Sequence, residues 1–550
     1  MVTAAPEPVP ATSASSGSDA VPEASSRAAT ALAVAAPIAV GILATALAIW
    51  RLLPGVGFWD TAEFQTVPPI LGTAHPTGYP TYVLLGWLAS AVLTPLGEAA
   101  FRMNLLSAIL VGVACGITVD LVRVLTRSTI LGVVAGLGLA ATPIVWSIGT
   151  HADPHALHLA FVAAILWALV RWERTRGERA HPERADRWLV AAAALTGLSV
   201  GNHSLTLLLA PPIALYVLVV EPRILLRWKL VLACAIAVVV PAVLVYLELP
   251  LRAGAIAGLR APLVYGTPDT WEGFKYVVLG EQFRGGINDP FGELPRKLGD
   301  LADLAGRQLG PLPILAVIGF FATAIRRPPY ALLTGSALVI TCFFNAAYIN
   351  ADIERYYLGP ALIAWTWLAI LARTVIDLVA GGLGASDDPA TGPSRRGVRA
   401  TQAVGVLVAA VLLLAPTAAA FTTRATAVDE TGDRGAAEWL DAVLTEVEPD
   451  AMIVSWWSYS TPLWYAQLIE DRRPDIFVAD DRTRLDQNLG DLTTVIDANL
   501  DVRPVYVTRV DQNELVQLFD RYNLTPLASP VAGNVFKVTP KVSAAPRAQP

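Results

Sequence analysis

The 550-residue chain reads as a polytopic α-helical membrane protein that ends in a small α/β domain. Three observations carry that reading. Hydrophobic residues make up 54% of the chain and charged residues 16%, against about 25% charge in soluble domains. Mean hydropathy is +0.52. The apolar residues come in runs of about 20, long enough to cross ~30 Å of hydrocarbon as helices. A cytosolic enzyme, a disordered protein and a small disulfide scaffold are excluded by this composition. Continuous rather than alternating apolar runs argue against a β-barrel. The net charge is -6 and no basic stripe marks a nucleic-acid partner. Cys115, Cys234 and Cys342 all fall in apolar runs and read as small core residues.

Residues 1–28, rich in Ala, Pro and Ser, read as a disordered cytoplasmic tail. The run 29–53 is too long for a signal-peptide core and reads as a retained membrane helix. The membrane domain is expected over 29–423, with spans near 29–53, 102–125, 129–148, 156–172, 187–201, 204–220, 229–250, 309–325, 330–349, 356–380 and 400–423. The remainder, 424–550, returns to soluble composition and ends in a flexible segment. Strand-like runs at 452–454 and 475–478 alternate there with helical patterns such as Ala436, Trp439, Leu440, Val443 and Leu444, which suggests an extracytoplasmic α/β domain.

Basic loops belong on the cytoplasmic side. The stretch 79–96 is apolar enough to span but is bracketed by Pro80 and Pro95. If it spans, the Arg-rich loop 171–187 falls outside. A surface-lying helix at 79–96 restores the rule, and eleven spans then put the N-terminus inside and the C-terminal domain outside. That assignment used basic residues alone, yet it collects the unusual polar clusters on one face. These are Asp60 and Glu63; His75 and Tyr79; His151, Asp153, His155 and His158; Asn202 and His203; Arg252; and Asp352, Glu354, Arg355 and Tyr356. Ionisable groups at membrane depth are functional hypotheses by default. Each cluster also has a plainer reading. Asp60 and Glu63 can cap a short helix, 75–80 can be a rigid turn, and Asn202 and His203 can break and cap two helices. Arg252 and Arg355 can anchor at the interface, or one of them can bind phosphate. The His-rich run has metal-like residue types, but a supporting role is favoured over a dedicated metal site.

The ordered motifs resemble a family of membrane proteins long known only as a domain of unknown function, which includes the animal O-mannosyltransferase acting on plexin-type receptors. The matching segments are Asp60-Thr-Ala-Glu63-Phe64, Leu71-Gly72-Thr-Ala-His75-Pro76-Thr-Gly78-Tyr79-Pro80, Trp146 with 153–158, Gly197–His203, Leu249–Arg252, Asp352–Tyr357 and Arg473-Pro474-Asp475. Together they cover roughly 50–480. The chain departs from the family pattern at Ala62 (usually Gly), at Thr77 (usually Pro) and at Asp153-Pro154-His155 (usually Glu-Val-Tyr).

The resemblance implies a GT-C glycosyltransferase of the inverting, hexose-transferring type, with its site at the extracytoplasmic face and a polyprenyl-phosphate-sugar donor, mannose favoured. The acceptor is a protein, glycan or lipid hydroxyl. Asp60 is then the expected general base, with Glu63 orienting the acceptor or a cation. Arg252 and Arg355 are expected at the leaving phosphate. His75, Tyr79, Asp153, His155, Asn202, His203, Asp352, Glu354 and Tyr356 are expected in the substrate pocket. A divalent cation between Asp60, Glu63 and Asp153 is compatible with the spacing but not required by it, and no residue is assigned as a metal ligand. The excess of Arg over Lys points to a GC-rich genome and a bacterial cell membrane. The rival reading is a transporter or lipid flippase, which calls for ionisable residues near helix midpoints and two related halves; a scaffold holding partners through the tail is a third.

Overall fold

The computed structural model describes residues 20–177, 182–350, 352–384, 395–509 and 511–541. Residues 1–19 of the expected tail and 542–550 of the expected flexible end lie outside them, and a helix runs from Ala20 to Ile49.

Most of the described chain is a bundle of helices, several of which are joined by buried side-chain hydrogen bonds. Trp365 Nε1 donates to Thr142 Oγ1 at 3.0 Å, Trp367 Nε1 to Thr334 Oγ1 at 3.0 Å, and the Tyr330 hydroxyl to Thr366 Oγ1 at 3.0 Å. In hydrocarbon such groups have no water to turn to, so these pairings fix which helix faces meet. Small residues let backbones approach. A Cβ on Gly112, in the helix Ala99–Thr126, would lie 2.0 Å from Thr45 Oγ1 and 2.5 Å from the Gly41 carbonyl of the first helix.

Among the described residues, seven helices are long and apolar enough to cross a membrane: Thr30–Ile49, Ala99–Thr126, Pro154–Gly177, Trp228–Ala255, Pro328–Ala347, Ile353–Gly382 and Gly397–Ala419. The number rises to eight if the pair Leu294–Leu309 and Pro313–Arg326, bent by 93°, counts as one crossing. The expectation of eleven spans is therefore corrected, and the reason lies in breaks that apolar run length does not report. The run 129–148 divides at Pro143 into Thr129–Ala140 and Pro143–Ser147. The run 204–220 opens with a 3-10 turn, Ser204–Leu209, leaving a helix of 11 residues. The run 187–201 belongs to Pro182–Val200, whose first turns carry charge. At 1.5 Å per residue a helix of about 12 residues covers only ~18 Å. The helix Pro80–Val92, with 13 residues, is also too short to cross. These short pieces still matter for the site, because they return the chain to the end of the bundle where the first helix finishes. There the Leu53 N–H donates to the Thr150 carbonyl at 2.8 Å.

The C-terminal part carries a five-stranded mixed sheet. Its strands are β1 (Met452–Val454), β2 (Phe477–Ala479), β3 (Val505–Thr508), β4 (Tyr522–Pro526) and β5 (Val535–Pro540), in the order β2-β1-β3-β5-β4. β1 is parallel to both β2 and β3, whereas β5 is antiparallel to β3 and β4. The helix Gly435–Glu446 buries the apolar face read from the sequence: Ala436, Trp439, Leu440, Val443 and Leu444. This part sits on the loop end of the bundle through specific bonds. The Ala100 N–H donates to the Tyr465 hydroxyl at 3.1 Å, Arg51 pairs with Asp429, and His151 Nδ1 meets Glu430 Oε1 at 2.9 Å. Arg424 is buried and donates to the carbonyls of Ala141 (2.9 Å) and Gln308 (3.1 Å), which ends the bundle under the domain.

Two expected outcomes follow from this packing. Gly112→Val forces the first helix away from Ala99–Thr126 and costs about 1–3 kcal/mol, read as a lower Tm in detergent; an unchanged Tm would contradict the contact. The His151–Glu430 pair gives docking a pH window. Burial opposes charge on His151, but Glu430 raises its pKa above 6.5; burial likewise opposes charge on Glu430, but His151 lowers its pKa below 4.5. The histidine contribution is full below 6.5 and is lost as pH rises through the raised value, while the carboxylate contribution is lost as pH falls through the lowered one. The Tm gap between wild type and Glu430→Gln should be widest between pH 4.5 and 6.5 and shrink above it. A gap that grows toward alkaline pH would contradict the pairing.

Candidate functional site

The site starts from a short helix, Trp59–Thr66, after the first membrane helix. Its buried face is tied down by Gln65, whose Oε1 accepts from the Gly57 N–H (3.0 Å) and whose Nε2 donates to Asn104 Oδ1 (2.8 Å). That anchoring fixes where Asp60 and Glu63 point. Glu63 is 2% exposed and accepts the backbone N–H of His75 at 2.7 Å, while its other oxygen bonds His75 Nδ1. His75 Nε2 faces the Tyr79 hydroxyl at 3.3 Å. Burial works against charge on the imidazole, but the Glu63 carboxylate beside it, with Asp60, raises His75 to about 9.

Asp60 is held from two directions. Its Oδ1 accepts Trp457 Nε1–H at 3.1 Å, and its Oδ2 lies 3.7 Å from Arg355 Nη2. Arg355 also reaches Asp153 Oδ2 at 3.2 Å and pairs with Asp352. Asp153 is 1% exposed and accepts both the backbone N–H and Nδ1 of His155 at 2.7 Å. Burial opposes its ionisation, yet His155 and Arg355 hold its carboxyl far below the usual range.

His203 Nδ1 accepts the Leu205 N–H at 3.0 Å, so the ring proton sits on Nε2. Burial and the neighbouring His155 push its pKa well down, which keeps this donor neutral. The His203 ring packs at 4.8 Å from His155 and 5.6 Å from both Tyr79 and Tyr356.

These groups open into a cavity of about 550 Å³ between the loop end of the bundle and the C-terminal domain. Asp60, His75, Tyr79, His155, His203, Asp352, Arg355 and Tyr356 line it. Asp153 stands directly behind Arg355. Glu63 stands behind His75, and the remaining expected residues, Arg252, Glu354 and Asn202, lie elsewhere. Arg252 donates to the carbonyls of Leu71 (2.9 Å) and Ile70 (3.2 Å), so it fastens the first loop. Glu354 turns away to Arg307 at 2.6 Å. Asn202 is buried and donates to the Pro154 carbonyl at 3.1 Å. Two further arginines line the cavity, Arg482 and Arg284, the latter next to an apolar rim of Leu205, Leu279, Phe283, Ile287 and Phe344.

Residue type points to part of what the C-terminal domain adds: Trp456, Trp457, Tyr459, Trp464 and Tyr465 form an aromatic group, for which packing against the membrane domain is the plainer reading and carbohydrate or acceptor binding the sharper one, whereas Asp480, Asp481 and Arg482 are not singled out. Trp456 and Trp457 follow β1, and Asp480, Asp481 and Arg482 follow β2; all five line the cavity. Both sets sit at carboxyl ends of parallel strands, where open α/β sheets gather ligand-facing residues. A strand followed by Asp-Asp-Arg was the available signal.

Asp60, Glu63 and His75 each offer a ligand atom, all within 4.8 Å of one another. Two carboxylates and an imidazole suit a divalent cation, so the residues fit one. The third expected partner, Asp153, is engaged with Arg355 and His155 instead.

Residues 60–224 match the family described as the N-terminal domain of protein O-mannosyl-transferase TMEM260. The mouse (Mus musculus) protein of that name is 32% identical over 181 residues, a match spanning 33% of this chain and 24% of the length of that relative. Among solved structures, ArnT from Cupriavidus metallidurans bound to undecaprenyl phosphate superposes with a TM-score of 0.56 at 14% identity, over 91% of this chain and 97% of that one. The Archaeoglobus fulgidus oligosaccharyltransferase in complex with Zn and sulfate gives 0.52 at 15% identity, over 85% and 68%. The chain therefore shares the GT-C fold of these solved structures and, through residues 60–224, is similar in sequence to the N-terminal domain of TMEM260.

Proposed function

We propose that the chain is a membrane glycosyltransferase of the inverting type that moves a hexose, mannose in our reading, from polyprenyl phosphate to an acceptor hydroxyl at the extracytoplasmic face. The observation that carries this is the pairing, in one cavity, of the oriented Asp60 carboxylate with Arg355 and with Arg284 beside an apolar rim. The likeness to an ArnT bound to undecaprenyl phosphate supports the donor class, and the kinship with a protein O-mannosyl-transferase supports the sugar.

In this reading the lipid chain lies on the rim and the phosphate approaches Arg284 and Arg355. The acceptor oxygen attacks the anomeric carbon from the opposite side. The bond from that carbon to the phosphate oxygen breaks, its electron pair leaves on polyprenyl phosphate, and the hydroxyl proton passes to Asp60. Guanidinium groups suit the charge that develops on the leaving phosphate. Trp457 holds Asp60 in place. His75, backed by Glu63, and His203, with its Nε2–H, offer donors to sugar hydroxyls, while Tyr79, His155 and Tyr356 shape the pocket and Asp153 and Asp352 hold Arg355. Arg252, Asn202 and Glu354 support the fold around it. A divalent cation bound by Asp60, Glu63 and His75 would add positive charge near the leaving phosphate. The N-terminus is cytoplasmic and the C-terminal domain, 424–550, is extracytoplasmic, on a membrane domain of 29–423 in a bacterial cell membrane.

The test is release of polyprenyl phosphate from labelled polyprenyl-phosphate mannose, and then from other polyprenyl-phosphate sugars, by purified protein in lipid nanodiscs with a membrane extract as acceptor. Asp60→Asn is expected to lower release by on the order of 10³ while the protein still expresses and folds. Near-normal turnover by that variant removes Asp60 from the mechanism, and no release from any donor by wild type overturns the reading.

A further inference from the structure

A second cavity, of about 680 Å³, lies behind the wall of the candidate site. The two share Tyr348 and meet back to back at the turn Ile353–Tyr357. Asp352, Arg355 and Tyr356 line the first, whereas Ile353, Glu354 and Tyr357 line the second. Another wall of the second is the helix Leu294–Leu309. The helix after it, Pro313–Arg326, packs along the span Ile353–Gly382, where a Cβ on Gly319 would lie 2.6 Å from the Trp367 carbonyl. A bend of 93° between the two helices therefore lays Leu294–Leu309 across the bundle. Leu294, Leu298, Leu301 and Ala305 fall on one face of it, and Arg296, Asp300, Asp303 and Arg307 on the opposite one. An amphipathic helix that lies across the spans belongs in the membrane interface.

Three features of this cavity point to a ligand. Its mouth is apolar: Phe291, Leu298, Phe343 and Ile349 line it, and each is more than half exposed. Its floor carries an orphaned amide. Asn345, from the span Pro328–Ala347, is 6% exposed, and neither of its amide atoms closes a hydrogen bond; the Tyr357 hydroxyl is its polar neighbour on the same wall. A buried amide left unpaired is costly. Its rim, finally, holds one open charge of each sign. Arg296 is taken by Glu293 and Asp300, and Arg307 by Glu354. Lys297 and Asp289 remain, and among the described residues neither closes an ion pair. Lys297 Nζ donates to the Asp289 carbonyl at 2.6 Å, which keeps the ammonium next to that residue, while Asp289 Oδ1 accepts the Phe291 N–H at 2.9 Å.

We infer that this cavity binds one zwitterionic phospholipid, of the phosphatidylethanolamine class, from the leaflet on the side of the C-terminal domain, and that the lipid braces from behind the turn that presents Arg355. The lipid ammonium meets Asp289 and its phosphate meets Lys297. An ester carbonyl accepts from Asn345 Nδ2, and the acyl chains leave past Phe343 and Ile349 into hydrocarbon. The charge count selects the headgroup. The cavity is lined by four carboxylates, Asp289, Glu293, Asp300 and Glu354, against three cations, Arg296, Lys297 and Arg307. A lipid carrying negative charge alone, whether phosphatidylglycerol or a polyprenyl phosphate, meets more like charges than opposite ones. A zwitterion finds a partner for each of its charges. The inference does not depend on the transferase reading, because none of Asp60, Glu63 and His75 lines this cavity.

The test uses the full chain, stripped of lipid in detergent and titrated separately with phosphatidylethanolamine and with phosphatidylglycerol. Bound lipid is counted by native mass spectrometry. Wild type is expected to take one phosphatidylethanolamine about tenfold more tightly than phosphatidylglycerol. Binding should raise Tm by ~2 °C or more. Asp289→Asn and Lys297→Gln change only the rim and should keep the lipid-free Tm. Each should weaken phosphatidylethanolamine about tenfold and cancel the gain in Tm. Undecaprenyl phosphate in excess should leave the bound phospholipid in place. Equal affinity for the two phospholipids, unaltered affinity in either variant, or binding without a gain in Tm would each overturn the inference. Displacement by undecaprenyl phosphate would also overturn it and give the cavity to a polyprenyl chain.

Discussion

One guanidinium, that of Arg355, meets carboxylates from three separate segments: Asp60 of the first loop, Asp153 at the start of Pro154–Gly177, and Asp352 of its own turn. In a chain with 16% charged residues this gathers three carboxylates on one cation at the loop end of the bundle. Asp153 is 1% exposed, so removing its cation would strand a buried charge, which costs far more than the loss of a surface pair. The arrangement therefore positions three loops at once. The cavity exists because these loops converge, and its polar lining is the set of side chains they bring along.

The C-terminal domain is part of the same construction. Trp457 bonds Asp60 across 397 positions of sequence, and His151 and Glu430 bind the base of the domain to the bundle. The sheet then faces the site with the carboxyl ends of its parallel strands. A domain that was merely tethered would leave Asp60 with one neighbour instead of two.

Much of this was legible in the sequence, for a physical reason. Charged and hydrogen-bonding side chains at membrane depth stand out against an apolar background, which is why Asp60, His75, Asp153, His203 and Arg355 could be picked without coordinates. Arg252 shows the limit. Its residue type suggests phosphate, but the guanidinium is taken by two backbone carbonyls, and carbonyl positions are set by a turn that residue type does not encode. The number of spans was illegible for a similar reason. Hydropathy measures how apolar a run is, whereas Pro143 and the 3-10 turn at Ser204–Leu209 decide how long each helix stays straight. Trp457 has both a packing and a binding reading because its indole packs, against His75, Tyr265 and Trp464, while its Nε1–H reaches Asp60.

The most direct measurement is the structure of the protein in a nanodisc with undecaprenyl phosphate. The account predicts the phosphate between Arg284 and Arg355, within reach of the Asp60 side of the cavity, and the isoprenoid chain along Leu205, Phe283 and Phe344. A phosphate held elsewhere, with this cavity filled only by water, would contradict it.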